Sequence, residues 1–194
     1  PFFYIERKVK SMKGFLLSLV VFVVFHGVLP AGASEWDCAS TSGTFERSTD
    51  CTMGDEVAVS GDLTVTGKDT VYSTLTAASG KRHFKITSGA HRVSLSWLKM
   101  TGGDTTSNSG DDRHGGSIYV YNVAAHLNIS HCVFFNNRAA YGGAVSALYL
   151  QPILFFFSVL FDSNTALGDG GGLYLLRGTL HSQRDTFQNN TAGG

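Results

Sequence analysis

The feature that most constrains this chain is a repeat in its second half. Gly115-Gly116 precedes an apolar run, and Phe134 and Asn137 close the unit. The same order returns with Gly142-Gly143, Phe161 and Asn164, and again with Gly171-Gly172, Phe187 and Asn190. The Phe-x-x-Asn spacings are 27 and 26 residues, and the Gly-Gly spacings are 27 and 29, with Gly193-Gly194 following 22 residues later as the apparent opening of a fourth unit. A period of this size is the mark of a solenoid, in which one unit cannot bury its apolar face alone and the core exists only between neighbours. The units hold short stretches of alternating apolar residues such as Leu127-Asn-Ile129, with period two rather than 3.6. The expected fold is therefore all-β, a right-handed parallel β-helix. Phe134, Phe161 and Phe187 are expected to stack in its core, each phenylalanine contributing about 1.5–3 kcal/mol. Asn137, Asn164 and Asn190 are expected at a turn, where the side chain bonds backbone and tolerates a left-handed conformation. The glycine pairs suit a corner that excludes a Cβ.

Competing repeat architectures fit less well. The Leu-x-x-Leu-x-Leu frame of leucine-rich repeats is missing, and propeller blades run to about 40–50 residues. The apolar run Ile153 to Leu160 is too short to cross a bilayer as a helix. It reads as two buried strands joined near Ser158. Upstream, Leu63-Thr-Val65, Thr74-Leu-Thr76, Phe84-Lys-Ile86 and Val93-Ser-Leu95-Ser-Trp97 alternate in the same way, and Met100-Thr-Gly-Gly103 replaces the Phe-x-x-Asn ending.

The N-terminus points to export. The sequence begins at Pro1, and Met12 looks like the natural start. Lys13, the apolar run from Gly14 to Phe25 and the small residues Ala31-Gly-Ala33 form a signal peptide with cleavage after Ala33. An uncleaved signal-anchor over Phe15 to Leu29 is the alternative. The expected organisation is residues 1–33 as upstream sequence and signal peptide, 34–54 as an N-terminal disulfide loop or cap, and 55–194 as the β-helix, truncated at its C-terminus.

Cys38 and Cys51 stand thirteen positions apart early in the mature chain, and in an oxidising compartment they are expected to bridge. Asn128-Ile-Ser130 and Asn189-Asn-Thr191 are acceptors for N-glycosylation in a eukaryotic secretory route. From Ser34 onward there are eleven Lys and Arg against fourteen Asp and Glu. That balance gives no basic surface, so nucleic acid is not an expected partner. One proline, Pro152, occurs after Pro30, which agrees with many short strands joined by turns.

Gly142-Gly-Ala-Val145 and Phe161-x-x-Asn164, alternating once per unit, resemble the repeats of the chlamydial polymorphic outer membrane proteins. Similar repeats occur in large extracellular β-helix proteins of algae and other microbial eukaryotes. The resemblance covers about residues 115–194, with a looser pectin-lyase-like character from about residue 55. It implies an extracellular β-helix. The bacterial members are adhesins with a C-terminal membrane barrel, and no barrel is visible in this sequence. Membrane attachment is expected only through the signal segment or a C-terminal anchor missing from this sequence.

Pectin-lyase-like enzymes need clustered carboxylates on one outer face, often beside an Arg or Lys. The dense candidate here is Gly102 to Gly116, holding Asp104, Asp111, Asp112, Arg113 and His114. It reads as a solvated insertion, with binding of a cation or sugar acid as the sharper alternative. Lys81, Arg82, Lys85, Arg92 and Lys99 read as a solvated face or a contact for an acidic polysaccharide. His126, His131 and Cys132 do not converge on a metal, because His131 and Cys132 point to opposite sides of a strand, and Cys132 reads as core. No catalytic residue, metal or cofactor is expected. The sequence thus describes a secreted or cell-surface structural or adhesive protein, with an extracellular polysaccharide or a cell-surface partner. The alternatives are a lyase, hydrolase or epimerase of the pectin-lyase-like class and a polysaccharide-binding module.

Overall fold

The computed structural model describes residues 33–68, 71–87, 92–121, 125–149 and 151–194. The signal-peptide expectation falls outside these except for its last residue, Ala33. Among the described residues no helix is long and apolar enough to cross a membrane.

Residues 33–194 form a parallel β-solenoid. Each coil carries a strand in each of two main sheets, a third strand in a further sheet, and in the later coils a two-residue strand at the corner. The seven-stranded sheet stacks Ser34–Glu35, Gly43–Arg47, Leu63–Gly67, Arg92–Ser96, His126–Ser130, Ile153–Phe157 and Thr179–Gln183 in sequence order. A six-stranded sheet contains Val133–Phe135, Leu160–Asp162 and Thr186–Gln188, and a five-stranded sheet contains Phe84–Ile86, Ile118–Tyr121, Val145–Leu148 and Leu173–Leu176. All the strand pairings are parallel, as a chain that returns to the same sheet once per turn must be.

Inward side chains repeat at every second position. Leu127 and Ile129 stand in register with Leu154 and Phe156, all buried. Phe134, Phe161 and Phe187 stack as the repeat requires. Their centroids are 4.9 and 4.5 Å apart and their planes within 14° and 2°. Met100 takes the phenylalanine position one coil earlier, opposite Phe134. Phe187, in the last coil described, is half exposed.

Four expectations shift. Val145 pairs with Leu173, so the glycines equivalent to Gly142-Gly143 are Gly170-Gly171, not Gly171-Gly172. Gly115, Gly142 and Gly170 carry the positive φ values of 60°, 62° and 71°, and a Cβ on any of them would strike a backbone carbonyl. The corner in that coil is one residue longer, and three successive glycines hide the register. Gly193-Gly194 is not a further glycine pair at this corner: Gly193 donates to the carbonyls of Ala166 and Gly168, beside Leu167. The left-handed turn residues are Asn136, Ser163 and Asn189, each one place before the repeated asparagine. Asn137, Asn164 and Asn190 lie inside the turn and form an amide ladder. The Asn164 Oδ1 accepts from the backbone N–H and the side-chain amide of Asn137, both at 3.0 Å, and its own amide donates to the Phe134 carbonyl.

The run from Ile153 is buried on one side only. Leu154 and Phe156 face the core, while Ile153, Phe155 and Phe157 face outward and are half-buried. Residues 34–54 pair with the coil that follows them. Gly43–Arg47 pairs with Leu63–Gly67, and Cys51–Thr52 pairs with Leu75–Thr76. Cys38 and Cys51 are disulfide-bonded with Cα atoms 6.6 Å apart, beside the buried Trp36.

Candidate functional site

The segment 102–116 interrupts the repeat between Leu98–Thr101 and Ile118–Tyr121. Its residues from Ser107 to Asp112 are largely exposed, as its composition suggests, while contacts along it dock the segment onto the outer side of the five-stranded sheet. The reason is Arg82. Its side chain is 1% exposed and spends its donors on the loop and the coil below. Nε donates to Glu56 Oε2 at 2.9 Å, and the two terminal nitrogens donate to the carbonyls of His114 at 2.6 Å and Asp112 at 2.5 Å. Burial pulls the guanidinium pKa down, and Glu56 and Asp112 oppose that shift. The pattern uses the fork geometry of arginine, which a lysine lacks. Lys85 reaches Asp112 Oδ1, and its hydrogen bond is the main reason the Asp112 carboxyl lies below the ordinary range. Arg82 and Lys85 are thus not part of a free basic face; of that group, Lys81 pairs with Asp55 at 2.9 Å.

The remaining loop residues separate. Asp104 bonds the Thr106 backbone and hydroxyl and lies 3.4 Å from Arg138. Asp111 sits in the short 3-10 turn Gly110–Arg113 and takes a hydrogen bond from the Tyr121 hydroxyl, which raises that phenol's pKa. Arg113 contributes its carbonyl to Ala140 N–H at 2.8 Å. The loop's acids therefore diverge onto Arg138, Tyr121 and the Arg82–Lys85 pair. They do not converge on one point in space.

Under the loop lies an aromatic cluster that sequence reasoning missed. The His114 ring stacks between Tyr119 and Tyr141, with centroids 5.5 and 4.9 Å away, and its Nδ1 lies 3.3 Å from Ser146 Oγ. Burial lowers its pKa. Tyr119 is fully buried, the Arg82 guanidinium lies 5.0 Å from its ring centroid, and its hydroxyl has no hydrogen-bond partner among the described residues. Burial pushes that phenol's pKa well up. The outward alternation of Tyr119, Ser146 and Tyr174 across three in-register strands is the signal that could have found it. A polar cleft of about 340 Å³ opens between Gly80–Arg82 and Ser107–Ser109, with Glu56 and Asp112 on its walls.

Elsewhere the expected residues disperse. Cys132 is a buried free thiol with its pKa pushed up to about 12 by burial. His131 stacks on Trp97 at 4.5 Å on the turn that follows the seven-stranded sheet. Among the described residues no group of three or more His, Cys, Asp or Glu side chains is placed to hold a metal ion. Asn128 is a half-buried outward residue of His126–Ser130, and Asn189 is exposed at a turn. Neither asparagine is near the docked loop in sequence or register.

Comparison with known proteins finds one similarity. Residues 158–175 match the Chlamydia polymorphic membrane protein repeat. The matched span runs from the turn residue Ser158 through Phe161, Asn164 and Gly170-Gly171 to Leu175. It therefore holds the phenylalanine stack, the asparagine ladder and the glycine corner of one coil. No curated protein and no solved structure matches the chain.

Proposed function

We propose that this chain is a β-helical cell-surface or outer-membrane protein whose coils form a stiff scaffold and whose docked loop is a contact surface rather than a catalytic one. The observation that carries this reading is the repeat itself, matched in sequence to a membrane-protein repeat and reproduced coil after coil in the fold. The state of the loop supports it. Catalysis on a polysaccharide needs an acid, a base and a charge stabiliser within reach of one bond. Here Glu56 and Asp112 are engaged by Arg82 and Lys85, and Asp104 and Asp111 point to other partners. The extended outer faces suit an extracellular polysaccharide or a protein on a neighbouring cell, bound without chemical change. Adhesion is the use this surface fits best.

Two measurements test the proposal. Protease treatment of intact producing cells, followed by detection with antibody against residues 102–116, should remove the signal without lysis; a signal lost only after lysis would refute surface exposure. Incubation with pectate and alginate, with and without calcium, should release no new reducing or unsaturated ends. Release abolished by changing Asp111 and Asp112 to Asn would instead make the loop a catalytic site.

A further inference from the structure

Three large apolar side chains, Ile153, Phe155 and Phe157, stand on the outer side of the seven-stranded sheet. Their neighbours in register are polar: His126, Asn128 and Ser130 on one side, Thr179, His181 and Gln183 on the other. One face of the Phe155 ring is covered by His181, whose ring lies parallel to it within 7° at a centroid distance of 4.6 Å. Phe157 has the edge of His131 at 5.4 Å and the Arg184 guanidinium at 5.5 Å from its centroid. Among the described residues no ring stacks on its other side; the ladder place there belongs to Asn128. Asn128 opens the triplet Asn128-Ile-Ser130, and both Asn128 and Ser130 face outward while Ile129 is buried.

We propose that Asn128 carries an N-linked glycan whose first N-acetylglucosamine packs against Phe155 and covers the outer apolar row. The proposal rests on the cell-surface form of the reading above, reached through a eukaryotic secretory route, and adds a modified residue and a place for the sugar. The donor class is a polyprenyl-pyrophosphate-linked oligosaccharide. The bond between sugar C1 and the pyrophosphate oxygen breaks, a C1–Nδ2 bond forms, the amide gives up one proton, and the lipid pyrophosphate leaves. One N–H remains on Nδ2, enough to keep the hydrogen bond seen to Ser94 Oγ at 3.4 Å. The geometry favours the contact because strands of neighbouring coils are about 4.8 Å apart. That is also the separation at which flat rings stack along this sheet, and it sets the Asn128 side chain, which would carry the sugar, one layer from Phe155. The half-buried row Ile153, Phe155 and Phe157 leaves apolar surface on this side of the sheet that a covalently held sugar would cover. Asn189 offers a built-in comparison. It is exposed on a turn, and the corresponding turn residues of the coils before it are Ser163 and Asn136, neither of them aromatic.

The test is to express the full chain with its own N-terminal segment in eukaryotic cells and map the secreted protein by peptide mass spectrometry. Glycan is expected at both Asn128 and Asn189. Under native conditions a peptide-N-glycosidase should release the Asn189 glycan faster than the Asn128 glycan. Phe155→Thr should bring the Asn128 rate up to that of Asn189, and Phe155→Tyr, which keeps a ring, should leave it slow. Asn128→Gln should raise binding of a hydrophobic dye. Modification of Asn189 without Asn128, or equal release rates in the parent protein, would overturn the inference. Secreted protein bare at both positions would also overturn it while leaving export standing; protein retained in the cell and bare at both would overturn both.

Discussion

At the scale of single residues, the asparagine ladder and a buried histidine set the sharpest expectations. Asn164 satisfies the buried N–H of Asn137 and the carbonyl of Phe134 at once. Asn164→Ala strands both, and each unsatisfied buried group costs about 1–3 kcal/mol. A loss of roughly 3 kcal/mol in denaturant titration is expected, with a smaller loss for Asn190→Ala, whose turn is only partly buried. His83 is fully buried, its two ring nitrogens 3.0 Å from Ser117 Oγ and from the Leu75 carbonyl. Burial lowers its pKa to about 4 from 6.5. The unfolded chain therefore takes up a proton that the folded chain refuses. Stability should fall as pH drops through that window, by about 1.4 kcal/mol per unit and about 3 kcal/mol in all, and should be unaffected by this group above it. Denaturant titrations of the parent and His83→Gln from pH 7 to 4 check this: the difference between the two should change across the window, and a constant difference would remove His83 as its source.

At the scale of elements, the docked loop depends on one side chain from another coil. Arg82 lies 26 residues after Glu56 and 30 before Asp112, about one coil either way, so three successive coils meet on its guanidinium. Removing a buried ion-pair partner costs about 3–5 kcal/mol because the charge left behind is uncompensated. Glu56 is a quarter exposed and Asp112 half exposed, so the lower end applies. Arg82→Gln should lower stability by about 3 kcal/mol. It should also make residues 102–116 the first site cut in limited proteolysis. Retention of the parent cleavage pattern would show that the loop is held by its backbone contacts to Arg138 and Tyr141 instead.

At the scale of the whole solenoid, stability is a sum of coils and the interfaces between neighbours. The disulfide lies in the first coils and closes a loop of thirteen positions. A loop of that size corresponds to roughly 3 kcal/mol of restricted unfolded-state freedom. Reduction should therefore loosen one end without melting the rest. Hydrogen exchange is expected to rise in Gly43–Arg47 and Cys51–Thr52 and stay slow in His126–Ser130 and Ile153–Phe157. Uniform acceleration along the chain would mean that the coils unfold as one cooperative unit.

The coil period, the phenylalanine stack, the parallel strands and the cysteine pair were legible in the sequence, because each is a local pattern repeated at a fixed distance or a pair of reactive residues close in the chain. Three other features were not. The glycine register was ambiguous because Gly170, Gly171 and Gly172 are chemically alike, and only the pairing of Val145 with Leu173 chooses among them. The outward face of Phe155 and Phe157 was hidden because in a run of five apolar residues both parities of alternation read the same. Arg82 looked like one member of a basic surface because Glu56, His114 and Asp112 are remote in sequence; stacking alone brings them to its nitrogens. Periodicity is carried by the chain itself. Which side of a strand meets solvent, and which distant charges neutralise each other, is decided only when the coils are laid on one another.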